Sequence, residues 1–149
     1  MIFIARRHVI KQHSRLTEHL NSKGLKMTPQ RRVILDKFLD IEGHLSAEEL
    51  YHIVRQTDPV VGQATVYRTV KLLAEAGIAK KVDFGDGIIR YEPRYGVSHH
   101  DHIVCEECRR HVEFVDPDIE KLQEKQAGAH GFRLTSHRMV LYGICPDCS

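Results

Sequence analysis

The chain lacks any apolar run approaching the ~20 residues that span a bilayer. Its opening, "MIFIARRHVI", offers three apolar residues after Met1 before Ala5 and two arginines. That is too short for the core of a secretory signal, so a cytoplasmic protein without a membrane partner is expected. There is no low-complexity segment, and the single repeated pattern is a doubled Cys-x-x-Cys. Cysteine is absent everywhere else: all four lie at Cys105, Cys108, Cys145 and Cys148. Acidic residues are scarce at the start. Residues 1–37 hold nine Lys/Arg against Glu18 and Asp36, whereas residues 93–149 hold seven against nine acids. The overall charge of +2 hides this division. A basic first part suits a polyanion, although a solvated basic helix face would look the same on charge alone. With 149 residues, 42% hydrophobic and 28% charged, the chain has the size and composition of one folded domain or two small ones.

The period of the apolar residues is helical up to Gly77. A loose pattern over residues 8–23 stops at Gly24. Thr28 can cap a helix that takes Pro29 in its first turn. Ser46 and Glu49 have capping-box spacing at the head of "SAEELYHIVRQ". A further helix over 63–76 buries Val66, Val70 and Leu73 and ends at Gly77. Beyond it "IAKKVDF" and "GIIRYE" alternate around "GDG", a hairpin signal. Helices followed by a two-stranded hairpin spell a winged helix-turn-helix over residues 1–92, with 63–76 as recognition helix. Residues 93–98, "PRYGVS", read as a linker. Residues 99–149 then read as a small α/β unit: strands "DHIV" and "HVEFV", a helix opening at Pro117, and one long alternating strand "RLTSHRMVLYGIC". The fold class expected is α+β.

Two-residue spacing lets both thiolates of a Cys-x-x-Cys pair bind one tetrahedral ion, and zinc favours sulfur in closed structural sites. A disulfide framework does not suit a cytoplasmic chain. A redox pair calls for a following helix to lower a thiol pKa, yet Cys148 is followed by Ser149 alone. The 36 residues between the pairs must form an excursion that returns. Units below ~70–80 residues rarely build enough core without a staple. Zn(II) held by Cys105, Cys108, Cys145 and Cys148 would therefore be structural, with no open position for a substrate.

"SHHDHIVCEEC" crowds further metal-binding groups into residues 98–108. In a strand, successive side chains face opposite ways. His100 and His102 then share one face, and His99 and Asp101 the other. Each pair is short of ligands; Glu113, Glu120 and His137 are available to complete two sites, and a chance cluster of surface histidines is the alternative.

With "GLKMTPQR", "HLSAEELY", "ATVYRTVKLLAEAG", "RYE", "HHDHIVCEEC", "EFVDPDIE", "GFRLTSH" and "LYGICPDC", the chain resembles the ferric uptake regulators from about Leu16 to Cys148. The resemblance implies a winged helix joined to a dimerisation domain. It implies a regulatory site of His44, Glu92, His100, His102 and Glu113, and a second of His99, Asp101, Glu120 and His137. His44 and Glu92 come from the resemblance alone. Nitrogen and carboxylate ligands without thiolate suit Fe(II) or Mn(II), although Zn(II) would bind more tightly by intrinsic order. Peroxide-sensing relatives typically carry aspartates at the positions of Glu92 and Glu113, and zinc-uptake relatives place a cysteine among the sensing ligands. Both comparisons point to the iron sensor. Arg109 departs from the family, which usually has Gly after the second cysteine.

For DNA, Thr65, Tyr67 and Arg68 open the recognition helix, where hydroxyl, ring and guanidinium can meet thymine methyls, phosphates or base edges. Lys26 resembles the family's minor-groove lysine, and Arg31 suits phosphate. The expectation is a homodimeric, Fe(II)-dependent repressor acting on an AT-rich palindromic duplex, not an enzyme. The rivals are a metalloenzyme using the His/Glu cluster, for which no nucleophile is evident, and a zinc-ribbon interaction module that does not bind DNA.

Overall fold

A computed structural model describes the backbone of residues 2–94 and 99–149, with side chains from residue 8 onward in those ranges. The chain divides into two compact units, residues 1–97 and 98–149. Residues 95–98 of the expected linker lie outside the described residues. No helix among the described residues is long and apolar enough to cross a membrane.

The first unit begins with α1 (Ile2–Ser22). It starts well before the apolar period becomes legible, because no Pro or Gly interrupts residues 2–23. Gln12, Leu16 and Leu20, four apart, form its buried stripe. In α2 (Pro29–Leu39), the Thr28 side chain accepts from Arg31 N at 3.2 Å, and Ile34, Leu35 and Phe38 are buried. A short strand β1 (Leu45–Ser46) leads into α3 (Ala47–Thr57) through a complete capping box. There Ser46 N donates to Glu49 Oε2 at 2.7 Å, and Glu49 N donates to Ser46 Oγ at 3.2 Å. Losing such a cap costs ~1 kcal/mol.

Helix α4 (Gln63–Glu75) buries Val66, Thr69, Val70, Leu72 and Leu73. It stops at Gly77, whose φ of 73° lets Ile78 N return to Leu73 O at 2.9 Å. Strands β2 (Ala79–Asp83) and β3 (Ile89–Pro93) form the antiparallel wing, and β1 adds to β3 in the order β1-β3-β2. The pairing of Asp83 with Ile89 makes the loop residues 84–88, longer than the tight Asp-Gly turn expected. The three helices, α1 and the sheet enclose one apolar core centred on Leu16, Phe38, Leu50 and Leu73.

The second unit contains β4 (Asp101–Cys105), β5 (His111–Phe114), α5 (Pro117–Ala129) and β6 (Val140–Gly143). Its sheet order is β5-β4-β6, with β5 antiparallel and β6 parallel to β4. The long strand expected over "RLTSHRMVLYGIC" is corrected here: regular pairing covers Val140–Gly143 alone. The template explains it. Val140 aligns with His102, and β4 begins one residue earlier, so the segment before Val140 has no strand to follow. Val112, Ile103 and Leu141 stand in one cross-strand row and are 49%, 41% and 43% exposed. Helix α5 buries no residue fully. So thin a core is what makes a staple necessary in a unit of this size.

Candidate metal centres and DNA-binding face

The chain direction of β4 and β6 brings the two cysteine pairs together. Cys105 ends β4, and Cys145 follows β6, which runs parallel beside it. One sulfur from each of Cys105, Cys108, Cys145 and Cys148 lies within 4.8 Å of the others. Cys108 Sγ and Cys145 Sγ are 3.7 Å apart. An ion with bonds of ~2.3 Å to four sulfurs has tetrahedral edges of ~3.8 Å, whereas a disulfide needs ~2.05 Å. The donor set and spacing thus fit a tetrathiolate zinc. Cys145 N donates to Cys105 Sγ at 3.4 Å. Backbone N–H groups of Cys108 and then Cys145 bring the Cys105 thiol down to about 6, while hydrogen bonding to the sulfurs of Cys145 and Cys108 pushes Cys148 up to about 12. One thiolate is already favoured, and its neighbour keeps a proton that an ion would displace.

A second constellation lies in the same unit. His99 Nε2 is 3.5 Å from Asp101 Oδ1 and 3.2 Å from Glu120 Oε1. His137 Nε2 is 3.5 Å and 3.2 Å from the same two oxygens. The imidazoles meet edge to face, with centroids 4.3 Å apart. Asp101 Oδ1, Glu120 Oε1 and His137 Nε2 are shielded from solvent and make no hydrogen bond of proper geometry. Buried polar atoms normally find partners. An ion ~2.0–2.1 Å from each donor would give tetrahedral edges of ~3.3 Å, which the four contacts match. These residues fit a metal better than they fit one another.

On the other face of β4, His102 stands opposite Glu113, and His100 Nε2 lies 3.7 Å from Glu113 Oε1. The His100 and His102 rings are 4.9 Å apart. The alternation expected from "HHDH" therefore separates the donors within this unit. In the first unit, His44 precedes β1 with its ring edge-on to Phe84, centroids 5.0 Å apart. Glu92 is buried on β3, where Lys80 Nζ lies 3.7 Å from its carboxylate.

Of the DNA candidates, Lys26, Tyr67 and Arg68 are exposed, and Thr65 is half-buried. Tyr67, at 37% exposure, presents an edge rather than filling the core. Arg31 turns back to donate to the Lys26 carbonyl, so it also braces the turn before α2. Sequence reasoning missed three contacts. Arg110 reaches Asp147 at 2.6 Å across the two cysteine knuckles. Arg90 forks onto Asp86 at the wing tip, Nη2 to Oδ2 at 2.9 Å, and lies over the Phe84 ring. Arg15 caps α4 from α1. No spacing rule signals such pairs, and the four-residue rule of helices does not apply to Asp86 in the hairpin loop and Arg90 on β3.

Known proteins share the chain's sequence pattern and its fold. The model of the ferric uptake regulator family matches residues 22–142. A ferric uptake regulation protein of Campylobacter jejuni is 42% identical over 137 residues, covering 91% of this chain and 87% of the relative. A solved Helicobacter pylori ferric uptake regulator, described as having three functional metal binding sites, superposes with a TM-score of 0.83. It is 31% identical and covers 94% of this chain and 93% of its own. A zinc-bound manganese uptake regulator is 45% identical with a TM-score of 0.66, covering 87% and 98%. Two thiolate knuckles, a winged helix and matches along nearly the whole length lead to one conclusion: the chain belongs to the ferric uptake regulator family of dimeric, metal-responsive DNA-binding regulators, and is not an enzyme.

Proposed function

We propose that the protein is an Fe(II)-responsive repressor of iron acquisition genes, acting in the cytoplasm as a homodimer on an AT-rich palindromic operator. One observation carries this reading: a single cluster engages all four cysteines, leaving only nitrogen and carboxylate donors for sensing. The structural ion is Zn(II) at Cys105, Cys108, Cys145 and Cys148. The regulatory set is His100, His102 and Glu113 of the second unit with His44 and Glu92 of the first. His99, Asp101, Glu120 and His137 form the second site.

A set drawn from both units makes sense of the allostery. An effector shifts an equilibrium only by its differential affinity for the two states. His44 and Glu92 provide that difference if they join the other donors in only one arrangement of the units. That arrangement would set how paired α4 helices meet successive major grooves, with Thr65, Tyr67 and Arg68 toward bases and Lys26 and Arg31 toward the backbone. The exposed Val112–Ile103–Leu141 row supports pairing of two copies through the second unit.

The same hard donors suit Mn(II), and similarity to a manganese uptake regulator favours that as the second reading. Anaerobic purification with metal analysis, followed by DNA binding across Fe(II), Mn(II) and Zn(II), distinguishes them. Tight operator binding at Fe(II) concentrations where Mn(II) is ineffective is the expected result; the reverse order would assign manganese.

A further inference from the structure

Arg15 and His19 on α1 and Lys23 just past its end recur every four residues and so share one face. All three reach the last turn of α4. Arg15 Nε donates to the Ala76 carbonyl at 2.7 Å. His19 Nε2 lies 3.2 Å from Glu75 Oε2, and the Lys23 ammonium pairs with that same oxygen. A helix leaves its last carbonyls without intrahelical partners and favours cations at that end. Packing reinforces the contact, since a Cβ placed on Gly77 would come within 3.0 Å of the Arg15 guanidinium. Lys23 and then His19 hold the Glu75 carboxyl below its ordinary range. On an adjacent face of α1, His13 Nε2 lies 2.5 Å from Asp36 Oδ1 of α2. Helix α1 is thus tied by polar contacts to both α2 and α4.

We propose that Arg15, His19 and Lys23 are positioning residues: they clamp the C-terminal end of α4 and set its pitch, and so control discrimination among DNA sequences without touching DNA. This rests on the reading of α4 as recognition helix. Apolar packing is non-directional and tolerates tilt, whereas a hydrogen-bonded end does not. Arg68 stands eight residues from Ala76, ~12 Å along the axis. A tilt of roughly 5° there moves Arg68 by about 1 Å, beyond the ~0.5 Å window of a good hydrogen bond.

Glu75 supplies a test in which charge and geometry have opposite signs. Removing an acid makes the domain more basic, so electrostatics alone would strengthen binding to every duplex. The clamp instead predicts that Glu75→Gln, in the full-length metal-loaded protein, leaves random-duplex affinity unchanged or raised. Its ratio of selected to random duplex affinity should fall about fivefold, the size of effect one partly exposed ion pair can couple. The selected duplex is one enriched from a random library by the wild type. Arg15→Ala should lower the ratio likewise, and Arg15→Lys, which can still reach the carbonyl, should restore part of it. If Arg15→Ala fails to fold, the exposed Glu75 variant still decides. A ratio unchanged in Glu75→Gln while Arg68→Ala lowers it overturns the clamp and leaves the recognition helix intact. A ratio unchanged in Glu75→Gln overturns the clamp whatever Arg68→Ala does, and an Arg68→Ala that weakens binding to neither duplex overturns the helix assignment as well.

Discussion

Arg109 should respond to substitution in a way its exposed side chain does not suggest. Its φ of 63° makes it the one non-glycine residue with positive φ among the described residues. The turn needs that conformation, because Arg109 N donates to Cys105 O at 3.0 Å and Cys105 N to Arg110 O at 2.8 Å, closing the first cysteine knuckle. A residue with a Cβ pays ~1–2 kcal/mol in the left-handed region. Glycine removes that cost but loses ~0.5–1 kcal/mol through its freer unfolded chain. Arg109→Gly should therefore stabilise the second unit by about 0.5–1 kcal/mol. With a urea slope of ~1 kcal/mol/M for so small a unit, the midpoint should rise by roughly 0.5–1 M. Release of zinc to a chromogenic chelator along a urea series reports on this unit alone. Arg109→Asn should be close to neutral, since Asn tolerates the left-handed region, and the β-branched Arg109→Val should lower the midpoint. A lower midpoint for glycine, or an unaffected valine variant, would refute the reasoning.

Cys145→Ser should unfold the second unit or dissociate the dimer, because three thiolates hold zinc poorly and the thin core cannot compensate; a folded dimer of unchanged melting temperature would contradict the structural role. DNA affinity should fall steeply with salt, and Arg68→Ala should lower operator binding more than random-duplex binding, by ~1–3 kcal/mol if it reads a base; equal losses would make Arg68 a phosphate contact.

What was legible in the sequence was local. Thr28 and Ser46 announce their helices because a cap is decided within four residues, and Gly77 stops α4 for the same reason. Alternation in "HHDH" separates the faces correctly even though β4 begins only at Asp101, since extended backbone keeps the two-residue period before regular pairing starts. The failures are non-local. Residues 133–139 alternate like a strand, but a strand also requires a neighbour, and β4 ends as a template at that point. Arg15 and Glu75 lie on helices far apart in sequence, and nothing in either segment marks the other as its partner. Arg109 was visible as a departure from the family, and its backbone conformation supplies the reason glycine is usual there.

The central claim is that sensing draws on donors from both units, and His44 tests it most directly. It sits more than fifty residues from the other histidines of the proposed set, against Phe84 in the DNA-binding unit. Operator affinity of His44→Ala and wild type should be titrated side by side against Fe(II) under anaerobic conditions, with zinc content and dimerisation checked in both. The account predicts a variant that keeps its zinc, its dimer and its fold while losing the Fe(II)-induced gain, a reduction of about 5–150-fold given couplings of ~1–3 kcal/mol. His137→Ala, confined to the second site, should lose less. Overlapping Fe(II) curves for His44→Ala and wild type would contradict the account.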